Sequence, residues 1–310
     1  MISVVMATYN GEKYLLEQLD SIKDQTVSPD EVIICDDRST DNTQTIVEDY
    51  IAKHNLEGWH FIVNEKNLGY GNNFHQAVGR ATGDLIFFSD QDDIWAPDKI
   101  EIMRKIMTDH EDCALLCTDY EPYATEEAAP KVPKQISDRM PDDGKLEKIG
   151  LSARSIYIGA LGCCMCVRRS FYINMAEYWF DGWAQDDRMW RLSQCVGGCY
   201  ILHSNALVKH RLHGNNTSTY GKYHTVEKRV RLFKEMLEAD RQMLSAVKSG
   251  DVVSKKETSI LLKHIKMMEL RIDLLEKRRI FNCVALLSYF RYYEKKKSYV
   301  LEMLMAIRNR

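Results

Sequence analysis

No apolar run among the 310 residues approaches the roughly 18 that a membrane span requires, so no transmembrane helix is expected. Nor does the chain open on a basic stretch followed by an apolar one. MISVVMATYN reads as a strand from residue 2, and the expectation is a cytoplasmic chain without a leader. Nine cysteines form an odd set without the spacing of a disulfide framework, which points to reduced thiols. Cys163-x-x-Cys166 and the Cys113/Cys117 pair lack a second CxxC or paired histidines, which argues against a four-ligand zinc site. Proline is scarce. Four of the six fall within residues 121–144, EPYATEEAAPKVPKQISDRMPDDG, which read as a long loop beside an acceptor or lid. A strong charge of one sign is also missing, since the net charge is only −3. Residues 222–310 nevertheless hold 21 Lys/Arg against 11 Asp/Glu, while residues 1–221 hold 21 against 34. An acidic body with a basic tail argues against a nucleic-acid binder. It suits a metal-using domain whose appendage meets an anionic partner.

What is present is an alternation of strand and helix through about residue 110, the pattern of parallel βαβ units. Ile2–Ala7 and Glu31–Cys35 are apolar runs of strand length, Trp59–Asn64 reads as a third strand, and Leu85–Ser89 is a fourth. Helical spacing follows the first at Tyr14, Leu15, Leu19 and Ile22, and follows the second at Ile46, Val47, Tyr50 and Ile51. Asn67–Asn73 reads as a glycine-containing loop ahead of a helix from about Phe74 to Arg80. Two strands end in carboxylates: Asp36-Asp37, and Asp90-Gln91-Asp92-Asp93. Three carboxylates within four residues repel one another, and a divalent cation relieves that; hard oxygen ligands suit Mg²⁺ or Mn²⁺. In open α/β sheets ligands bind beyond the carboxyl ends of strands, where these clusters belong. Tyr9 there could stack on a base, and Asp36 or Asp37 could accept a pyrimidine imide or ribose hydroxyl. Each residue taken alone also reads as core packing or a helix cap.

Together SVVMATYNGEKYLLEQLDSI, EVIICDDRSTDNT and NEKNLGYGNNFHQAVGRATGDLIFFSDQDDIWAPDKI resemble the family 2 glycosyltransferases of GT-A fold. The branch they resemble most is the bacterial rhamnosyltransferase-like enzymes of cell-surface polysaccharide synthesis. The resemblance implies a mostly parallel, Rossmann-like α/β sheet with flanking helices. It implies that Thr8, Tyr9 and Glu12 line a nucleoside pocket, that Asp37 or else Asp36 reads the base, and that Gly69 and Asn73 lie beside the nucleotide. Asp90 and Asp92 become the Asp-x-Asp pair on Mg²⁺ or Mn²⁺, with Asp93 and Trp95 supporting the turn.

In the second half, Ala114–Thr118 reads as a strand. Ser155–Val167 is apolar and rich in small residues; the resemblance implies a glycine-centred strand, with Gly159–Cys163 under the acceptor. The segment around Gln185-Asp186-Asp187 departs from the family's Glu-Asp or His-Asp pair, and either Asp186 or Asp187 is implied as the base. Asn205–Ser218 resembles the family's Arg-x-His-Gly-x-Asn stretch, implying His213 over the metal or diphosphate and Arg211 against phosphate charge.

Domain limits are expected at 1–221 (1–110 for the nucleotide-sugar half, 111–221 for the acceptor half) and 222–310 for a helical appendage. Within that appendage Val230, Phe233, Leu237 and Leu244 mark one amphipathic helix and Ile260–Leu275 a second. The last segment frames aromatic and aliphatic residues with Lys/Arg clusters, which suits an interfacial helix on anionic lipid, a cap on the catalytic domain, or a dimer contact. The expected activity is metal-dependent, inverting sugar transfer; the resemblance implies L-rhamnose or another hexose moved from a dTDP- or UDP-sugar to a lipid-linked saccharide acceptor. The rivals are a nucleotidyltransferase, against which ATYNGEKY is poor in glycine and basic residues, and a non-catalytic assembly subunit.

Overall fold

The computed structural model describes residues 1–124, 141–157, 159–214, 225–249 and 255–308. Its spine is a strand of seven residues, β1 (Ile2–Thr8), buried almost throughout because its apolar side chains serve both faces of a sheet. Val4 and Met6 pack on one face with Leu15, Leu19 and Ile22 of α1 (Leu15–Lys23), Val47 of α2 (Thr43–His54) and Ile100 and Met103 of α4 (Lys99–Asp109). Val5 points the other way, onto Phe74 and Ala77 of α3 (Tyr70–Arg80) and Met189 and Trp190 of α6 (Gln185–Cys195). This period-two alternation makes the sheet the middle layer of a sandwich of helices.

Eight strands form that sheet, in the order β3-β2-β1-β4-β9-β6-β10-β8. They are β2 (Glu31–Asp36), β3 (Trp59–Val63), β4 (Leu85–Ser89), β6 (Leu115–Thr118), β8 (Leu146–Ile149), β9 (Met165–Arg168) and β10 (Cys199–Leu202) besides β1. Only β9 and β8 run against the rest. Register fixes the site: Thr8 lies opposite Asp36, and Met6 opposite Ser89. The chain therefore leaves β1, β2 and β4 on the same edge, at Tyr9, Asp37 and Asp90.

A second, three-stranded sheet joins β5 (Ile94–Trp95), β11 (Val208–Leu212) and β7 (Glu121–Ala124). Three local expectations change. The glycine loop is shorter than the sequence implies, since α3 already begins at Tyr70, with Gly69 at its cap at φ +77°, a conformation that suits glycine. The glycine-centred strand is confined to β9, and Gly162–Cys164 is a single 3-10 turn. Gly159 is held there by Trp190, since a Cβ would fall 2.6 Å from the indole ring. The proline-rich loop starts as β7, paired with β11; its residues 125–140 lie outside the described residues, as do 215–218 and the expected boundary at 221/222.

The C-terminal part is a helical layer: α7 (Val226–Ser249), α8 (Lys255–Glu276), α9 (Asn282–Leu287) and α10 (Lys297–Arg308), after α5 (Arg169–Asn174) and α6 in the body. It packs on the body through Leu151, Ile156 and Cys195 against Met243, Val247 and Leu261. Inside it, buried Glu302 of α10 accepts from Arg271 Nε (2.9 Å) and Nη2 (2.6 Å) and from Arg229 Nη1 (3.2 Å). Glu302→Ala leaves two inward-facing guanidiniums unpaired and is expected to cost about 3–5 kcal/mol, read as a fall in thermal or denaturant midpoint. All nine cysteines are buried and free, as reduced core residues.

Candidate active site

A cleft of about 1150 Å³ runs along the strand edge and is walled by both halves of the molecule. On the nucleotide side Tyr9 is half exposed over it, at 49%. The Gln91 side-chain amide grips the Tyr9 backbone, accepting from its N–H (2.9 Å) and donating to its carbonyl (3.0 Å). Asp37 lines the cleft, and its carboxylate accepts from the N–H groups of Leu68 (2.7 Å) and Gly69 (2.8 Å) and from Asn64 Nδ2 (2.9 Å). Asn73 also lines it, donating to the Cys35 carbonyl (2.8 Å) and accepting from Asn64 (2.9 Å). Asp37 thus builds the Gly69 loop and positions it beside the cleft.

Three expected residues do not reach the cleft wall. Asp36 is buried beneath it, accepting from Thr8 Oγ1 (2.9 Å) and from Ser39 N (2.8 Å) and Oγ (2.5 Å). Glu12 turns outward and accepts from Asn42 N (3.0 Å) and Nδ2 (2.8 Å), tying the first loop to the start of α2. Arg211 is buried. It donates to the Asp92 carbonyl (2.7 Å) and Glu17 (3.0 Å) and lies over the rings of Tyr14 and Tyr123 at 4.4 and 5.1 Å. Its place is behind the acidic turn, as the strut that holds it.

The acidic turn itself is completed by β11, which returns more than a hundred residues later and pairs antiparallel with β5. This places His213 Nε2 2.7 Å from Asp92 Oδ2, and His210 Nδ1 2.9 Å from Asp93 Oδ1. Asp93 Oδ1 also accepts from Arg211 N (2.9 Å), while its buried Oδ2 finds no hydrogen-bond partner among the described residues. Among the described residues no donor reaches the Asp90 carboxylate. Burial, and then the charges of Asp93 and Asp92, push Asp90 well above the ordinary carboxylate range. Burial opposes the charge on His210, but Asp93 overrides it and raises that imidazole. Asp90 and Asp92 line the cleft with His213. The Asp90 carboxylate, short of donors, and the Asp92 carboxylate are hard oxygen ligands of the kind Mg²⁺ or Mn²⁺ takes, with the His213 imidazole beside them, and these residues fit such a cation. Asp93, Cys163 and His210 also lie within 4.8 Å of one another, but they form the buried layer under the turn, with His210 spent on Asp93. Lys99, buried, pins that layer from α4 by donating to the Cys163 carbonyl (2.6 Å).

Across the cleft stands the start of α6. Asp186 is half-buried and lines the cleft, accepting from the Asp187 N–H (2.8 Å). Burial, then the neighbouring Asp187 charge, raises it to about 6. Asp187 is engaged: Arg191 Nε reaches both its oxygens (2.8 Å each), and Trp183 Nε1 donates at 2.8 Å. Trp183 stacks on Phe180, with centroids 4.8 Å apart. Asp187 is thus locked by two side chains, while among the described residues Asp186 is held by backbone N–H groups alone.

Sequence reasoning missed the far support of this wall. Arg191 Nη1 donates to buried Asp240 of α7 (3.1 Å), which is 2.6 Å from His264 Nδ1 of α8; His264 Nε2 lies 3.2 Å from Tyr157 Oη, in the cleft wall. Leu232, Glu235 and Met236 of α7, and Glu294, also line the cleft. No motif could reveal them, because ordinary amphipathic helices carry them. Asp240→Asn loosens Arg191 and is expected to lower kcat about tenfold, through a shifted wall, with the donor KM nearly unchanged. Steady-state kinetics with varied donor checks it.

The model of the family described as "Glycosyl transferase family 2" matches residues 3–172. The chain belongs to this family. The family 2 match covers the nucleotide half and β9. A dTDP-rhamnosyl transferase RfbG of Shigella flexneri is 42% identical over 104 residues, 31% of this chain and 34% of that protein. An uncharacterized glycosyltransferase of Methanocaldococcus jannaschii is 39% identical over 118 residues, 37% of this chain and 40% of that protein. The chain thus spans less than half the length of these curated relatives in the matched segments. Among solved structures, S. aureus TarS 1-349 in complex with UDP-GlcNAc superposes with a TM-score of 0.62 at 18% identity, covering 98% of this chain and 90% of that one. The agreement extends to the GT-A-like layout of sheet and C-terminal helices.

Proposed function

We propose that this family 2 protein is a metal-dependent, inverting glycosyltransferase that moves a sugar from a nucleoside diphosphate donor to a saccharide acceptor. The observation that carries the reading is the raised carboxyl of Asp186, held by backbone N–H groups, facing the Asp90–Asp92–His213 cluster across one cleft. Asp90, Asp92 and His213 would hold Mg²⁺ or Mn²⁺, which offsets charge on the departing diphosphate when bound. Tyr9 offers a ring for the base, with Asp37, Gly69 and Asn73 shaping that pocket. Asp186 removes the acceptor hydroxyl's proton as that oxygen attacks the anomeric carbon. Arg191 and Trp183 keep Asp187 from competing for the proton. One base and one displacement give inversion.

The donor is a dTDP- or UDP-sugar. The rhamnosyl transferase of Shigella flexneri supports dTDP-L-rhamnose, and the TarS complex supports UDP. A lipid-linked saccharide of cell-surface polysaccharide synthesis is the acceptor, and the site faces the cytoplasm. The test is a thermal-shift panel of UDP, dTDP, GDP and CDP, each with Mn²⁺, Mg²⁺ or EDTA. A metal-dependent rise with UDP or dTDP alone supports the reading. No rise with any of them, together with no donor hydrolysis, returns the protein to the assembly-subunit alternative.

A further inference from the structure

The two most exposed large apolar side chains among the described residues, Phe281 and Val284, lie at the start of α9, and further exposed ones follow on α9 and α10. Phe281 is 93% exposed and Val284 72%; Leu287, Leu301, Leu304 and Ile307 are also exposed. In a compact body such residues normally occur singly, and a contiguous group marks a surface that meets something apolar. Here α9 and α10 both pack on α8 and meet at Tyr299. The Tyr299 hydroxyl of α10 donates to the Cys283 carbonyl of α9 (3.0 Å), and its ring meets Phe290 edge-on, with centroids 5.8 Å apart. The inner faces are fully used, with Cys283 and Leu286 of α9 and Ala306 of α10 in the core of the helical layer. Among the described residues the outer apolar side chains of these helices are left exposed.

The charge around them is one-sided. Exposed Lys277, Arg278 and Arg279 lead into α9, and Lys295, Lys296 and Lys297 lead into α10. Over residues 277–297 there are seven Lys/Arg and one acid, Glu294. Lys277 and Arg279 share Asp273, a surface pairing that leaves the segment strongly basic. Apolar side chains rimmed by ammonium and guanidinium groups match the boundary between acyl chains and anionic headgroups. No described helix is long and apolar enough to cross a bilayer. The short lengths and basic ends of α9 and α10 suit a helix pair lying in the interface.

We infer that the outer face of α9 and α10 docks this protein on an anionic lipid bilayer. Glu294, one residue before the Lys295–Lys297 cluster, lines the catalytic cleft. Docking therefore brings the cleft wall close to the membrane, where the saccharide of a lipid-linked acceptor is presented. The docking surface stands independently of the transferase reading; only this link to the acceptor rests on it.

The test is co-sedimentation of the full chain with vesicles of phosphatidylcholine alone and of an equimolar mixture with phosphatidylglycerol. Binding to the mixed vesicles, weak on phosphatidylcholine and weakened at high salt, is the expected result. Phe281→Asp is expected to cut that binding about tenfold or more. Because Phe281 packs against little, its thermal midpoint and its hydrolysis of donor in solution should match the parent. That hydrolysis tests the transferase reading separately. Equal pelleting of parent and variant overturns the proposal, as does no pelleting at all. A parent that elutes as a dimer, does not bind vesicles, and becomes monomeric as Phe281→Asp would show that a second copy covers this face instead.

Discussion

Asp186→Asn is expected to lower sugar transfer by about 10³-fold while making the ligand-free protein more stable. The two effects share one cause. Burial and the neighbouring Asp187 raise the Asp186 carboxyl to about 6 from an ordinary 3.8, so the folded state prefers it protonated. The cost of ionising it begins as pH passes the unfolded value of 3.8, grows to about 6, and is constant above that. Asparagine carries no charge. At pH 7 the variant should therefore recover roughly 1–3 kcal/mol, seen as a higher midpoint in thermal or denaturant unfolding, with the gain vanishing below the unfolded value. A general base works only when ionised, so parent activity should rise with pH through about 6. A bound cation moves that limb downward. Loss of activity with an unchanged or lowered midpoint would make Asp186 a structural residue. Asp187→Asn should behave oppositely, losing stability because it removes one of the two carboxylates paired with buried Arg191 and leaves only Asp240.

Asp92→Ala is expected to abolish metal dependence and to reduce turnover by about 10²–10³-fold, the scale of losing charge stabilisation at a departing group. The parent should gain thermal stability from nucleotide plus Mn²⁺ and lose it with EDTA; Asp92→Ala should show neither response. Asp90→Asn provides the companion measurement. Its parent carboxyl is held above the ordinary range by burial and by Asp93 and Asp92, so the amide should raise the midpoint of the metal-free protein while also removing the Mn²⁺ response. A metal response that survives both substitutions would move the ion to other ligands, with the buried Asp93–Cys163–His210 group the next to test.

Much of this architecture was legible in the chain. Ile2–Ala7 and Leu85–Ser89 could only be strands buried on both faces, and the carboxylates after them could only gather beyond one sheet edge. The early start of α3 was not legible. Asn67–Asn73 has loop composition, yet the Asp37 carboxylate collects the N–H groups of Leu68 and Gly69 and lets the helix begin at Tyr70. The brief 3-10 turn at Gly162–Cys164 was hidden in an apolar run that reads equally well as strand. Arg211 was expected at phosphate from its place in the Arg-x-His-Gly-x-Asn resemblance, but two rings and Glu17 claim it.

By resemblance the sequence singled out Asp186 and His213; by itself it determined the alternating α/β order, the placing of Asp90 and Asp92 at the end of a buried strand, and the basic, apolar character of the last segment. Those are local properties, set by side-chain period and composition. Tertiary structure alone decided which of two adjacent carboxylates is locked by side chains, because that depends on Arg191 being held by Asp240 from a helix almost fifty residues away. It also decided that β11 delivers His213 to Asp92 and that α7 walls the cleft, since a contact between distant segments leaves no trace in the spacing of either one.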